Sequence, residues 1–274
     1  MTNMKVKLLC FMFVLSVLFS VQGAAGQTTI IRFAVIADYG VDNGNELRVT
    51  NIVKGWNPDF IITLGDNNAL GAGQWSRAVG KYYGTYVSSR RFYSCIGNHD
   101  RDAGISGYTA YFTLPGNERY YDVVKGPVHL YAINSVSDPD GTYSTSKQAY
   151  WLKGKLAIST AAWDIVYFHY PPYTSSGAHG SAISMRWNFK GWGAEIVLSG
   201  HVHAYERLLE DGLTYMTSLP GGQNPYGFGS IISGSKFRYT CSYGAILVTA
   251  TYTSIRFDTY TTSGRLVESF KMVK

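Results

Sequence analysis

Residues 195–203 read EIVLSGHVH, a short apolar run that ends in a glycine and two histidines. Four other runs have the same form, in which Ile, Val and Phe precede a polar cluster: IIRFAVIAD at 30–38, FIITLGD at 60–66, RFYSCIGNHD at 91–100 and DIVYFHY at 164–170. Continuous apolar runs of this length are typical of strands buried on both faces. Ligands of open α/β sheets bind beyond the carboxyl ends of such strands. We therefore expect the five polar clusters to lie at that end.

Helices are predicted between these strands, over about 46–56, 73–83 and 147–156. The third is preceded by Thr145, with Gln148 three positions later, which is the pattern of a capping box. Alternating strands and helices indicate βαβ units with right-handed crossovers. From residue 214 onward, alternating apolar residues and turn residues indicate antiparallel strands and hairpins instead. The predicted fold class is α/β (α+β), a two-sheet β-sandwich flanked by helices.

The first 26 residues have the composition of a secretory signal peptide. Lys5 and Lys7 precede an apolar run over 8–21, and small residues follow at 23–26. The run is shorter than the roughly 20 residues that span a bilayer. An uncleaved anchor and a buried helix are the alternatives. We expect cleavage between Gly23 and Gln27, a single domain over 27–274, and a secreted protein that is periplasmic if the source is bacterial.

The composition excludes a disordered chain and gives no sign of nucleic-acid binding. Of 274 residues, 46% are hydrophobic and 15% charged, which is enough apolar material for a sizeable core. Loss of residues 1–26 removes two lysines and lowers the formal net charge from +6 to +4. This mild charge suits an anionic substrate, whereas no Lys/Arg cluster suggests a nucleic-acid groove and no membrane contact is expected after cleavage. Cys95 and Cys241 remain, either as a disulfide or with Cys95 as a buried free thiol.

Polar residues with metal-binding chemistry are concentrated in the five clusters. Five of the six histidines lie in or near them: His99, His169, His179, His201 and His203. Asp38, Asp66 and Asn98 add carboxylate and amide oxygens, and a mixed oxygen and nitrogen set suits Zn, Fe or Mn. His129 lies elsewhere, within VHLYAIN, where a hydrogen-bonded core or edge histidine is expected. Each cluster alone could be a turn or a helix cap, so only their combination indicates a metal site.

The order of these blocks resembles the calcineurin-like metallophosphoesterases. Within that superfamily it is most similar to the purple acid phosphatases of the tartrate-resistant and bacterial type. Three details carry the narrower resemblance: DYG at 38–40, HYPPY at 169–173 followed by His179, and the extension of GHVH to AYER at 204–207. The resemblance covers about residues 33–222 and implies the four-layer αββα fold of that superfamily.

This resemblance also implies a dinuclear metal centre, with two ions drawn from Fe, Zn and Mn. The ligands it assigns are Asp38, Asp66 and His203 for one ion, and Asp66, Asn98, His169 and His201 for the other. Asp66 would bridge the two ions. His99 would stabilise the phosphoryl group or protonate the leaving oxygen, and His179 would contact the substrate phosphate. Asp100 would either hold His99 by a hydrogen bond or cap a helix.

One position departs from the family pattern. Purple acid phosphatases have a tyrosine three residues after the bridging aspartate, and its phenolate binds the ferric ion. Here that position is Ala69. Unless another tyrosine such as Tyr39 replaces it, we expect no iron–phenolate absorption band, and a first metal site that is weaker or prefers a divalent ion.

The resemblance implies a secreted, metal-dependent phosphatase that acts on phosphomonoesters of small molecules through metal-bound hydroxide. A phosphodiesterase or nucleotide pyrophosphatase on the same site is the nearest alternative. The loops around 71–86, 102–111 and 174–187 would set that specificity. A secreted, non-catalytic binding protein, for instance for glycans, is the alternative of a different class, and Ala69 is the main argument for it.

Overall fold

The computed structural model describes residues 29–274, so the predicted signal peptide lies outside the described residues. The strands are β1 Ile31–Ile36, β2 Phe60–Thr63, β3 Phe92–Ser94, β4 Tyr121–Lys125, β5 Val128–Ala132, β6 Trp163–Phe168, β7 Ile196–Ser199, β8 Tyr205–Glu210, β9 Leu213–Thr217, β10 Ser235–Tyr239, β11 Gly244–Ala250, β12 Ser254–Thr261 and β13 Leu266–Val273. The helices are α1 Gly44–Gly55, α2 Lys81–Ser88, α3 Asn98–Ala103, α4 Ile105–Tyr111, α5 Lys147–Ala157 and α6 Phe189–Trp192. No helix in this part of the chain has the length and apolar character needed to cross a membrane.

Two mixed sheets form the molecule, which confirms the predicted fold class. The first has the order β13-β12-β11-β1-β2-β3, and the second has the order β10-β8-β9-β7-β6-β5-β4. Strands β1, β2 and β3 run parallel, as do β5, β6, β7 and β9, whereas β11 to β13 pair antiparallel. The hairpins predicted for the last third of the chain are therefore present.

Successive residues of the central strands enter two different hydrophobic cores. In β6, Ile165 and Tyr167 belong to the large core that also contains Phe33 and Ile61 of the first sheet. Their neighbours Val166 and Phe168 belong to a second core with Leu152 of α5. Because both faces of β6 are covered, Ile165–Phe168 are all apolar or aromatic, as expected for a strand buried on both sides. Asp164, near the start of β6, accepts a hydrogen bond from the Tyr131 hydroxyl at 2.8 Å.

Two of the three predicted helices occur close to their predicted positions. The helix predicted over 147–156 begins at Lys147, but its cap lies one residue later than predicted: Ser146, not Thr145, accepts a hydrogen bond from the Ala149 backbone. Gln148 turns inward, and its Nε2 donates to the Asn134 carbonyl at 2.8 Å. The helix predicted over 73–83 is wrong at both ends, since the helical residues run from Ser76 to Ser88. A π-helical turn at Ser76–Gly80 leads into α2, because the positive φ angles of Gly71 and Gly73 keep the preceding residues out of a helix.

Cys95 and Cys241 do not form a disulfide. Cys95 is buried beside β3, Cys241 is exposed, and both are free. Of the two readings that the sequence leaves open for Cys95, the buried free thiol is the observed one.

Glu46, in the first turn of α1, binds the backbone that precedes the helix. Its Oε2 accepts from the backbone N–H groups of Val41 and Asp42 at 3.0 and 2.7 Å, while its Oε1 has no hydrogen-bond partner among the described residues. The side chain is fully buried. Burial raises the pKa of Glu46 from its usual 4.5 to about 8. Glu46 is therefore protonated in the folded protein at pH values where the unfolded chain is ionised.

This difference predicts a pH-dependent stability that Glu46→Gln removes. The stabilising contribution is complete below pH 4.5 and is lost as the pH rises towards 8, since only the unfolded state releases its proton in that window. Each unit of pKa difference corresponds to about 1.4 kcal/mol, so a change of a few kcal/mol is expected. Denaturant unfolding of metal-free wild type and variant at pH 5 and pH 8 measures it. Parallel pH curves for the two proteins would contradict the assignment.

Candidate metal centre

The predicted site residues follow strand ends in both sheets. Asp38, Asp66 and Asn98 come after β1, β2 and β3 of the first sheet. His169 directly follows β6, and His201 and His203 come after β7 of the second sheet. The first sheet thus provides the oxygen donors and the second provides the nitrogen donors, and the parallel strands direct all of them to one edge.

Asp66 lies at the centre of one group of potential ligands. Its Oδ1 is 3.3 Å from His169 Nε2, which is in turn 3.0 Å from Asn98 Oδ1. One ligand atom each from Asp66, His169 and His201 fits within 4.8 Å, close enough to bind one ion. The structure therefore brings together all four residues predicted for the second ion.

A second pair of potential ligands lies next to this group. His203 Nε2 is 3.5 Å from Asp38 Oδ1. The backbone N–H of His201 donates to both carboxylate oxygens of Asp38 at 3.1 and 3.0 Å. These hydrogen bonds connect His201 of the first group of ligands to Asp38 of the second pair. The assignment of individual ligands to two ions stays a prediction, but every residue it uses lies at this site.

Hydrogen bonds on the far side of two imidazoles fix their orientation. His169 Nδ1 donates to the Leu64 carbonyl at 2.8 Å, and His203 Nδ1 donates to the Asn224 carbonyl at 2.7 Å. With one proton fixed on Nδ1, each Nε2 is the ring atom that faces the carboxylates and can bind a metal ion in place of its own proton. Metal-binding histidines in proteins are held in this way. The donor set thus fits transition-metal ions.

The backbone at four candidate ligands has an uncommon conformation. Asp38, Asp66, His201 and His203 have φ angles of 52, 54, 71 and 48°. A non-glycine residue in the left-handed region costs about 1–3 kcal/mol and persists where the surrounding structure enforces it. Such residues concentrate at functional sites, and here they turn the side chains inward immediately after the strands.

Charges in the site favour a bound cation. Burial lowers the pKa of His169, but the carboxylates of Asp66 and Asp38 outweigh this and raise it to about 9. Burial raises the pKa of Asp66, yet His169 and His99 bring it below its usual range. The environment therefore stabilises positive charge at the position where a metal would replace the proton. Burial, followed by the charges of His169 and His179, lowers the pKa of His201 to about 2, which keeps its imidazole neutral.

His99 and His179 face the same site without belonging to its buried group. The backbone N–H of His99 donates to Asp66 Oδ1 at 2.9 Å, and its Nε2 lies 3.8 Å from Asp66 Oδ2. The His99 side chain is 43% exposed, so it lines the open side. The His179 ring lies 4.1 Å from the His201 ring, between centroids. Their roles towards substrate stay predictions.

Asp100 serves as a cap and not as a partner of the His99 ring. Its Oδ2 accepts from the Gly97 backbone at 2.8 Å and from Asn67 Nδ2, also at 2.8 Å. Its Oδ1 accepts from the backbone N–H groups of Asn67 and Asn68 at 2.9 Å each. Asp100 thereby joins the loop that carries Asp66 to the loop that carries Asn98.

The strand ends just described lie within a segment that matches a known protein family. The model of the calcineurin-like phosphoesterases matches residues 31–205, well over half of the chain. The chain belongs to this family. The resemblance drawn from the sequence blocks is thereby confirmed.

Curated relatives of this family member are acid phosphatases. Acid phosphatase type 7 of Mus musculus is 27% identical over 237 residues, which cover 74% of this chain and 54% of the relative. Purple acid phosphatase 22 of Arabidopsis thaliana is 28% identical over 204 residues, 66% of this chain and 46% of the relative. The chain thus spans about half the length of the curated relatives it matches.

Proteins of different function have solved structures of similar fold. A purple acid phosphatase from yellow lupin seeds superposes with a TM-score of 0.74 at 16% identity, over 90% of this chain and 54% of that one. GAP50, described as the anchor in the inner membrane complex of Plasmodium, also gives 0.74, at 17% identity and over 89% of both chains. At these identities the likeness shows the phosphoesterase fold alone.

Tyr39 does not replace the tyrosine that this phosphoesterase lacks at Ala69. Its hydroxyl donates to Asn67 Oδ1 at 2.9 Å, and the residue is fully buried. Its ring packs edge-on against Tyr83 and lies 6.5 Å from the Phe92 ring. The Tyr39 side chain is thus part of the hydrophobic core below the site. We therefore still expect no iron–phenolate absorption band.

Three residues at the site were not predicted from the sequence. Gln223 Nε2 lies 3.5 Å from Asp66 Oδ2, Tyr226 stacks on the His203 ring at 4.2 Å, and the Tyr170 ring is 4.4 Å from that of His201. Gln223 and Tyr226 border a cavity of about 270 Å³ beside His203. The double glycine at 221–222, a pair typical of a turn, is the one sequence signal for this segment. In the structure, Gly221 N–H donates to the Ala37 carbonyl at 2.6 Å.

A larger cavity, of about 340 Å³, lies around His129 near the amino ends of the parallel strands β5 and β6. His129 is bonded to Asp122 and to the Tyr131 hydroxyl at 2.8 and 2.7 Å, and Lys155 also pairs with Asp122. These polar groups bond one another. Of the core and edge positions that the sequence leaves open for His129, the structure shows a buried, hydrogen-bonded histidine on β5, between β4 and β6.

Proposed function

We propose that this chain is a metal-dependent phosphatase that hydrolyses phosphomonoesters of small molecules. The observation that carries the proposal is the convergence of Asp66, His169 and His201 within 4.8 Å at the strand ends. Membership of a family of metallophosphoesterases, whose members use a dinuclear metal centre, supports the same reaction class. Curated relatives named as acid phosphatases favour monoesters over diesters.

Two ions drawn from Fe, Zn and Mn would be held by the residues of the centre. The proposed ligands are Asp38, Asp66 and His203 for one ion and Asp66, Asn98, His169 and His201 for the other. When bound, two such ions neutralise phosphate charge and make water more acidic, which favours in-line attack on phosphorus. The buried Asp66 carboxylate has two oxygens with which to serve both ions.

Two histidines of this chain would act directly on the substrate. His99 is anchored through its backbone to Asp66, and its partly exposed imidazole is placed to hold a proton for the leaving oxygen. Burial, followed by the charge of His203, lowers the pKa of His179. A neutral His179 can still donate one hydrogen bond to a phosphate oxygen. Tyr226 and Gln223 would border the space for the leaving group.

Hydrolysis of p-nitrophenyl phosphate after chelator treatment tests the proposal. We expect turnover to disappear with the metal and to return with one of Zn, Mn or Fe, because Asp66, His169 and His201 converge closely enough to bind one ion. A parallel assay with bis(p-nitrophenyl) phosphate serves as the control for substrate class. Faster turnover of the diester would replace the monoesterase with a phosphodiesterase, and turnover that resists complete metal removal would contradict the metal-dependent reaction.

A non-catalytic binding protein is the second candidate. Ala69 in place of the tyrosine favours it, and a structural neighbour of the same fold is described as an anchor in a membrane complex. Against it, all six predicted ligands and His99 are retained at one site. A folded, metal-loaded protein that hydrolyses neither monoester nor diester would support this candidate.

We propose also that the chain is secreted, or periplasmic in a bacterium. The charged start, apolar run and small residues within 1–26 support this placement. Amino-terminal sequencing of the exported protein should find a start between residues 24 and 27. A protein retained in the cytoplasm with its leader intact would contradict the proposal.

A further inference from the structure

Glu206 is a buried carboxylate in β8, three residues after His203. Its exposure is 0%, and no ion pair within residues 29–274 involves it. The adjacent Arg207 pairs instead with Glu268 at 2.7 Å. Burying a carboxylate is unfavourable unless hydrogen bonds replace its contacts with water. The donors that supply those bonds indicate what Glu206 holds in place.

Three of its four donors come from one loop. The Ser175 backbone N–H and the Thr174 hydroxyl donate to Oε2 at 2.7 and 3.4 Å, and the Ser175 hydroxyl donates to Oε1 at 2.5 Å. Ser235 of β10 supplies the fourth, to Oε1 at 2.5 Å. These four hydrogen bonds replace the contacts with water that the side chain loses on burial. Glu206 therefore fixes the start of residues 174–179, called here the His179 loop.

The rest of the His179 loop is tied to a neighbouring segment by backbone bonds. Gly177 N–H donates to the Gly227 carbonyl at 3.0 Å, and Gly229 N–H donates to the Ser175 carbonyl at 2.9 Å. Within the loop, Ser176 Oγ accepts from the His179 backbone at 3.4 Å. These bonds leave Ser175 as the residue that joins both supports, because its side chain bonds Glu206 and its carbonyl bonds Gly229.

His179 depends on this loop for its position. Its ring lies 4.1 Å from the His201 ring and 5.3 Å from the Tyr226 ring, and among the described residues its imidazole makes no hydrogen bond. Ring contacts alone permit sliding and rotation. The place of His179 beside the metal centre is therefore set by the backbone that Glu206 anchors.

We propose that Glu206 is a positioning residue for the phosphatase reaction, which holds the His179 loop so that His179 meets the substrate phosphate. The inference rests on the proposed function. Glu206 itself does not touch the substrate and acts only through His179. Because it lies on the same chain segment as His201 and His203, it keeps the loop in register with the metal centre.

Glu206→Gln is the variant that tests this role. The amide keeps the size of the side chain but presents an NH2 group to donors that need an acceptor. We expect kcat/KM to fall about tenfold, mainly through KM, with unchanged metal content. His179→Ala should show a loss of similar kind, and Glu206→Gln in the His179→Ala background should cause no further loss. Glu268→Gln is the matched control, since it breaks a bond to the next residue of β8 without touching the loop.

Hydrogen exchange of the amides at 174–179 provides a readout that needs no turnover. Glu206→Gln should speed exchange there, and Glu268→Gln should not. The proposal would be overturned if Glu206→Gln had the kinetics and hydrogen exchange of wild type, or if it lost bound metal. It would also be overturned if Glu206→Gln lowered kcat/KM as much in the His179→Ala background as in wild type. If wild type itself has no turnover with any metal, the phosphatase function fails, and the exchange data still decide whether Glu206 holds the loop. If Glu206→Gln does not fold, Ser175→Ala should show a smaller loss of the same kind.

Discussion

Asp66→Ala is expected to lower kcat/KM for p-nitrophenyl phosphate by about 10³-fold or more and to reduce the bound metal. Asp66 is 1% exposed, faces His169 at 3.3 Å and is the carboxylate that both proposed ions share. Removing it also frees the His99 backbone, which donates to Asp66 Oδ1. Stabilisation of transition-state charge by bound ions amounts to several kcal/mol, and each 1.36 kcal/mol is a factor of ten in rate, which gives about this loss. Steady-state kinetics and metal analysis of the purified variant measure both effects.

Asp122→Ala is the matched control for this variant. Asp122 also contacts a histidine, His129, at 2.8 Å, but near the amino ends of the strands. Its loss should leave metal content and kcat/KM within about twofold of wild type, as is usual for positions away from a site. Full activity in Asp66→Ala would refute the dinuclear mechanism. An inactive Asp66→Ala that still binds a ligand as wild type does would favour the binding-protein candidate.

Gly97→Ala should disable the site through a single added methyl group. A Cβ at residue 97 would lie 2.2 Å from both the backbone nitrogen and the Oδ1 of Asp66. The φ of −101° at Gly97 suits any residue, so the effect is steric and not conformational. The first obstructing atom is part of the backbone, and the second accepts a hydrogen bond from the His99 backbone N–H at 2.9 Å, so the two loops must separate. We expect kcat/KM to fall by about 100-fold or more and stability to fall by about 1–3 kcal/mol.

Gly84→Ala separates this effect from the general consequence of adding a methyl group. Gly84 lies within α2, and nothing would come within 4 Å of its Cβ. Replacing glycine inside a helix by alanine should stabilise the protein by about 0.5–1 kcal/mol and leave activity unchanged. The two alanine substitutions should thus have opposite signs in a denaturant titration. Equal behaviour of both variants would mean that the loops of Asp66 and Asn98 do not approach as described.

The sequence predicted which polar side chains lie together at the strand ends, because apolar strands and the polar residues that follow them are both visible in it. Asp38, Asp66 and His169 each come within three residues of the end of an apolar run. A strand buried on both faces has to be apolar, and the first polar residue after it is therefore conspicuous. The same rule located His201 and His203 after β7. Local sequence was enough because the strands are parallel and their ends meet.

Contacts between distant segments could not be read in this way. Gln223 and Tyr226 reach Asp66 and His203 only because residues 221–223 bond to the backbone at the end of β1. No periodicity encodes that approach. The start of the helix predicted over 73–83 was misplaced for a related reason, since glycines with positive φ precede the helical residues and the apolar pattern does not show this. Glu206 likewise gives no sign in the sequence that three of its donors lie at residues 174 and 175.

The division of donors between the sheets has a consequence for the robustness of the fold. Oxygen ligands follow strands of one sheet and nitrogen ligands follow strands of the other. Ions held by both sets would act as a cross-link between the two halves of the sandwich, in a protein whose cysteines at 95 and 241 form none. Any group that binds only the folded state raises stability by mass action. The thermal stability of the protein would then depend on the metal concentration. Metal depletion would weaken the contact between the two sheets and also abolish phosphoester hydrolysis.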